Sequence, residues 1–304
     1  MELRHLRYFV AVADEKNFTR AAQLLNIAQP PLSRQIQQLE EALGVQLFER
    51  NARPLKLTET GKFFYSHATQ ILAQTAELES MTRRVGNIER SLSVGFVGST
   101  LYGMLPKLIR RFRDENATVE LSLHEMSTMD QIRALKDGRI DVGFGRIRLE
   151  DANIRRITLR EEKMIVALPH GHPLSATNAM LSLRELVNET LIIFPQAPRP
   201  SYADQVLSAF QDRALKPRRI YEVRELQIAL GLVAAGEGVS IVPSSVNGLK
   251  RNDVNYMQLD DPTLVSPVIM SMRMLDESRD VKAMLELTYQ LYEEERIPHV
   301  PRTA

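Results

Sequence analysis

Ser33, Arg34 and Gln37 share one face of a stretch that opens on Gln29, Pro30 and Pro31, and all three can bond a polyanion or a base edge. Arg carries a planar fork of N–H donors that fits guanine bidentately, Gln presents a donor and an acceptor to adenine, and Ser bonds phosphate or base. Leu32, Ile36, Leu39 and Leu43 stand at i, i+4, i+7 and i+11, so the other face packs on a core. A proline in the first helical turn forfeits no hydrogen bond and has its φ already set. The helix start is therefore rigid, blunt and positively polarised. Such a helix enters the major groove with its N-terminal residues, although an ordinary solvated face would explain the same residues equally well. Arg53, beside Pro54 at a tip, is suited to phosphate or the minor groove.

The surrounding elements must position these groups. Leu3, Leu6, Phe9, Val10 and Ala13 recur at helical spacing, Asn17 offers an N-cap for a second helix, and Ala21 and Ala22 let a neighbour approach closely. After Gly44, a C-cap, "VQLFER" and "PLKLT" predict two short strands around "NARP". From Thr58 to about residue 88 there is no proline, and Phe64, Ala68, Ile71, Thr75, Leu78, Met81 and Val85 recur every three or four residues. A helix of that length, about 45 Å, with a thin apolar seam is expected to pair with another. From Leu92 the texture becomes strands alternating with helices, which predicts parallel sheets covered by helices in two α/β subdomains with a cleft between them.

Composition narrows the class. The 304 residues suit two or three domains, and 44% hydrophobic with 25% charged residues describes a folded globular chain. Cys is absent, which excludes disulfides and Cys-ligated zinc and fits a reducing compartment. Charges interrupt the apolar residues of "MELRHLRYFV", unlike a signal peptide, and runs such as "IALGLVAAG" are too short to span a membrane. A cytoplasmic protein without membrane contact is expected. A net charge of +1 provides no global field, so nucleic-acid binding must come from local arrangement.

The stretch "LRHLRYFVAVADEKNFTRAAQLLNIAQPPLSRQIQQLEEALGVQLFER" resembles the winged helix-turn-helix of LysR-type transcriptional regulators, and "LTETGKFFYSHATQIL" resembles their linker helix. The resemblance implies an α/β protein with an α-rich N-terminal domain at 1–57, a dimerising linker helix at 58–89 and an effector-binding domain at 90–304. That last part is implied to be type II periplasmic-binding-protein-like, with subdomain I at about 90–162 and 266–304 and subdomain II at about 163–265. Residues 1–62 hold nine Lys/Arg against seven Asp/Glu, favouring site-specific contact by several copies over tight non-specific binding. A homodimer or homotetramer on double-stranded promoter DNA, with RNA polymerase as a further partner, is expected.

In that fold the cleft is lined by strand ends and helix starts. Ser99 in "VGST", Thr128 in "MST" and Ser201 in "RPSYA" each put a hydroxyl just before a helix, where free N–H groups bind carboxylate or phosphate. Any one alone reads more readily as a helix cap. Three facing one cleft would hold a small acid, with Met104, Phe144 and Tyr202 over its apolar middle. "FVGSTLYGMLP", "DQIRALKDGRIDVGFGR" and "ALGLVAAGEGVSIVP" resemble the muconate-responsive regulators of benzoate and catechol degradation, which implies that Ser99, Thr128, Ser201 and Tyr202 bind a carboxylate inducer such as cis,cis-muconate or benzoate. Those regulators carry Asn-Phe where this chain has Ser201–Tyr202. A second aromatic-acid site on Arg160 and Tyr292, the latter on a C-terminal helix that returns to the first subdomain, is a further expectation.

Enzyme readings find little. His170-Gly171-His172 lies in a Pro/Gly-flanked turn without acidic partners, so no metal is expected. "GFGRIR" lacks the third glycine of a dinucleotide fingerprint, no phosphate loop occurs, and no nucleophile is paired with a base, so no cofactor and no catalytic residue are expected. The alternatives kept open are a LysR-type regulator of another pathway with a different small acid and, further off, a solute-binding protein.

Overall fold

Three short helices begin the chain: α1 (Leu3–Glu15), α2 (Phe18–Leu24) and α3 (Gln29–Leu43). Asn17 caps α2, its side-chain oxygen accepting from the N–H groups of Thr19 at 2.8 Å and Arg20 at 3.2 Å. α3 stops at Gly44, whose φ of 70° suits glycine. Strands β1 (Phe48–Glu49) and β2 (Lys56–Leu57) pair antiparallel as the wing. This is a computed structural model, and it describes residues 1–49, 55–85, 90–176 and 180–302; Arg53, expected at the wing tip, lies outside the described residues.

Helix α4 (Glu59–Val85) follows, with Thr58 Oγ1 accepting from Gly61 N–H at 2.9 Å. A Cβ at Gly61 would stand 2.0 Å from the Leu47 carbonyl oxygen, so only glycine lets the helix start sit against the chain entering the wing. Phe9, fully buried, has Phe48 and Phe64 at ring distances of 5.2 and 5.0 Å. Phe64 and Ala68, expected on the pairing seam, therefore pack into the core of their own unit. Among the described side chains of α4, Phe63, Ile71 and Leu78 are the exposed large apolar ones and stand at i, i+8 and i+15, on one face; those of Met81 and Val85, also expected on the seam, lie outside the described residues. Leu43, expected in the core, is exposed at the end of α3.

Contacts divide the chain into two units, Met1–Arg83 and Arg84–Ala304. The second is built from β3 (Ser91–Phe96), α5 (Leu105–Glu115), β4 (Glu120–Glu125), α6 (Thr128–Lys136), β5 (Val142–Gly145) and the long β6 (Ile154–Pro169). Then come β7 (Thr190–Ile193), α7 (Tyr202–Gln211), β8 (Arg219–Glu222), α8 (Leu226–Ala234), β9 (Ser240–Pro243), β10 (Val254–Gln258), β11 (Val265–Arg273) and α9 (Arg279–Glu294). The expected parallel pairing holds for β3 with β4 and β5, and for β7 with β8. It fails for the rest. β6 runs antiparallel to β11 along Ile154–Lys163, then to β9 and β10 along Met164–Pro169, which joins seven strands. Alternating strand and helix texture cannot disclose a strand that returns without a helix, as β10 and β11 do.

Two hydrophobic cores meet along β6 and β11. One gathers Val94, Phe112, Leu159, Met270 and the α9 residues Met284 and Tyr292; the other gathers Leu168, Ile192, Phe210 and Val233. The two strands crossing between them put Glu162 and Ser266, both buried, at the join.

Candidate functional site

On α3, Leu32, Ile36 and Leu39 are 0–3% exposed, which fixes the helix and turns Arg34 and Gln37 outward, with Ser33 half-buried at the edge. Gln29, Pro30 and Pro31 form an exposed first turn. Arg34 has no ion pair among the described residues, and Gln37 Nε2 donates to Glu41 Oε1 at 3.0 Å. Glu40 was not foreseen. It is buried, and its Oε1 accepts from Leu47 N–H at 2.7 Å and Phe48 N–H at 3.2 Å, tying the wing to this helix. A glutamate amid exposed polar residues of α3 gives no sign of facing inward.

The second unit holds a cleft of about 300 Å³ where the starts of α6, α7 and α8 converge with the turn after β3. Ser99, Thr128, Ser201 and Tyr202 all line it. Their hydroxyls differ in occupation. Ser99 Oγ accepts from Arg146 Nε at 2.8 Å and keeps its own proton to donate. Thr128 is the first residue of α6, and the cap is Ser127, which accepts from Asp130 N–H at 3.1 Å. The buried Thr128 hydroxyl receives only a long bond of 3.4 Å from Arg146 N–H. Ser201 caps α7, with its Oγ 3.2 Å from the Pro195 carbonyl and 3.3 Å from Asp204 Oδ2. Of the three hydroxyls, Ser201 is thus the most occupied by its cap.

Met104 and Phe144 are not on this cleft. They line a separate cavity of about 30 Å³ together with Arg160, Glu162 and Tyr292. Side chains alternate along β5, so Gly143 and Gly145 meet Gln131 and Thr128 while Phe144 turns to the α5–α9 side. Met104 lies beyond the 3-10 turn Gly98–Tyr102, at the start of α5. Arg160 and Tyr292 are brought together as expected, and burial pushes the Tyr292 phenol up to about 12.

Arg146 went unnoticed in the sequence. Only 2% exposed, it lines both cavities and pairs with Glu162 at 2.7 Å, side chain to side chain. Burial pushes Glu162 up, but Arg146, the hydrogen bond from Ser245 N–H and Arg160 together hold it below the usual carboxylate range. Gln205 on α7 donates to the Arg146 carbonyl at 2.7 Å and accepts from Ser266 at 2.9 Å. Tyr102 accepts from Gln227 at the start of α8, a bond that spans the cleft mouth. The cleft lining and the contacts between the two halves therefore share the same residues. His172 accepts from Leu174 N–H within its turn, and no group of three metal-binding side chains occurs among the described residues. No described helix is long and apolar enough to cross a membrane.

Known proteins align with both parts. HTH-type transcriptional regulator BenM of Acinetobacter baylyi is 45% identical over 302 residues, covering 99% of each chain. The crystal structure of full-length CbnR complexed with its target DNA superposes with a TM-score of 0.70 at 31% identity, over 95% of this chain and 99% of that one. The BenM effector binding domain with its effector benzoate superposes with a TM-score of 0.67 at 39% identity, over 70% of this chain and 96% of that one. Residues 3–62 match the bacterial regulatory helix-turn-helix proteins of the lysR family, and residues 86–291 match the LysR substrate binding domain. With both matches in order along one chain, this protein belongs to the LysR family of transcriptional regulators and not to an enzyme family.

Proposed function

We propose that this regulator reads promoter DNA with α3 and answers to a small carboxylate, cis,cis-muconate or an aromatic acid such as benzoate, bound in the cleft. In this reading it controls genes of aromatic-compound degradation, in the cytoplasm, as a homotetramer paired through the exposed stripe Phe63, Ile71 and Leu78 of α4. The DNA-binding part is 1–57, the linker 58–89 and the effector domain 90–304, the last split near 162–163 and 265–266, where the two hydrophobic cores give way to one another. The observation that carries the acid is the convergence of Ser99, Thr128 and three helix starts on one cleft walled by buried Arg146. The structures of the BenM effector binding domain with its effector benzoate and of CbnR with its target DNA support both halves of the reading.

Ser99→Ala and Thr128→Ala should each weaken acid binding by roughly tenfold, since each loses one charge-assisted bond with water partly compensating. Affinity for DNA without acid should be unchanged. Calorimetry with muconate and benzoate, beside anisotropy on promoter DNA, checks both; parent-like acid binding in both variants reduces these hydroxyls to structural groups. On the DNA side, Arg34→Ala should cost about 1–3 kcal/mol on the cognate site and relax preference at one base pair. An equal loss on every sequence would make Arg34 a phosphate contact.

A second acid at Arg160 and Tyr292 is favoured by one observation: Arg160 Nε is buried and without a partner among the described residues, in the cavity that Met104 and Phe144 also line. At about 30 Å³ the cavity has room for no more than a water-sized group, so an aromatic ring enters only when it opens.

A further inference from the structure

Two buried donors beside the cleft have no partner among the described residues, the hydroxyl of Tyr202 and Nη1 of Arg146. Neither can turn to find one. The Tyr202 ring is 6% exposed and stacked on Phe194, centroids 5.3 Å apart and planes at 27°. The Arg146 guanidinium is held by Ser99 Oγ at Nε and by Glu162 at Nη2, which fixes where Nη1 points. A buried donor left without an acceptor destabilises a fold, and Phe would fill the Tyr202 site without that penalty. Tyr202 and Arg146 both line the cleft, and although these two atoms are themselves closed to solvent, a ligand that shifts the wall can satisfy them.

Charge narrows what the ligand brings. Arg146 is already neutralised by Glu162 at 2.7 Å, and the Tyr202 hydroxyl lies in the field of both. A further carboxylate here would face Glu162, whereas a neutral oxygen accepts from either donor without that repulsion. We propose that Tyr202 and Arg146 select an acid bearing a hydroxyl or oxo oxygen in addition to its carboxylate. This rests on the carboxylate reading of the cleft. A site built to bond such an oxygen discriminates strongly against the analogue that lacks it.

The test is calorimetry on the full-length protein with paired probes: benzoate against 2-, 3- and 4-hydroxybenzoate, and cis,cis-muconate against 2-hydroxymuconate. At least one oxygenated acid should bind roughly tenfold or more tighter than its plain partner. Tyr202→Phe should erase that preference by weakening the oxygenated acid roughly tenfold more than its plain partner, and keep or raise the melting temperature of the unliganded protein. Three results overturn the inference alone: plain acids binding as tightly as all oxygenated partners, Tyr202→Phe weakening both members of a pair equally, or Tyr202→Phe lowering the melting temperature. If the parent protein binds none of these acids, the carboxylate reading falls and the inference falls with it.

Discussion

Replacing Glu162 by Ala should destabilise the second unit by about 3–5 kcal/mol, the loss typical when one member of a buried ion pair is removed. Glu162 accepts from Arg146 at 2.7 Å and from Ser245 N–H at 2.6 Å, and both side chains of the pair are at most 3% exposed. Removing it strands a guanidinium that already has one nitrogen unpartnered among the described residues. A double replacement, Arg146→Met with Glu162→Leu, should recover most of the stability, because apolar residues of similar volume need no partner. It should not recover acid binding, since Arg146 also orients Ser99. The pair also sets a pH dependence. The folded-state pKa of Glu162 is depressed, so its stabilisation is fully present above the ordinary glutamate value of 4.5 and is lost as pH falls through the lower folded value. Thermal melts of parent and Glu162→Gln should converge in that acid range and diverge above it.

Phe9→Ala should cost the first unit about 3–5 kcal/mol. Phe9 touches the ring of Phe48 on the wing and that of Phe64 on α4, and Phe48 touches Phe18 on α2. One cavity would loosen the contacts that seat the wing and the linker on the three-helix core. A domain of this size has little stability in reserve, so site-specific DNA binding should fail at growth temperature while the second unit still binds acid. Calorimetric melting of the full chain, with anisotropy on DNA, separates the two effects. An unchanged first transition would mean the aromatic cluster is not the centre of this unit.

What was legible in the sequence was local. The Pro30–Pro31 helix start, the Asn17 and Thr58 caps and the period of Leu32, Ile36 and Leu39 each act within one or two turns, and each is where the spacing put it. What was not legible depended on partners distant in the chain. Periodicity gave Phe64 an apolar face but could not say that Phe9 of the same unit would cover it. Phe144 sits between two glycines in a four-residue strand, too short for alternation to tell which side each residue faces. Arg146 and Glu162 are 16 residues apart, one past the end of β5 and the other midway along β6, and become a pair only because β6 crosses from one core to the other. Ser99 and Thr128 can be singled out because hydroxyls at helix starts carry a signal in sequence. The guanidinium that bonds Ser99 does not.

Footprinting decides whether acid bound in the second unit governs how α3 meets DNA. The full-length protein would be placed on a site selected from random DNA, with and without cis,cis-muconate and benzoate. The predicted result is protection over half-sites spaced by about one helical turn or a multiple of it. The extent of protection should change on adding acid, this change should vanish in a Ser99→Ala/Thr128→Ala double variant, and protection should be weakened at one base pair by Arg34→Ala. Protection that is identical with and without either acid, or that ignores DNA sequence, would contradict the account.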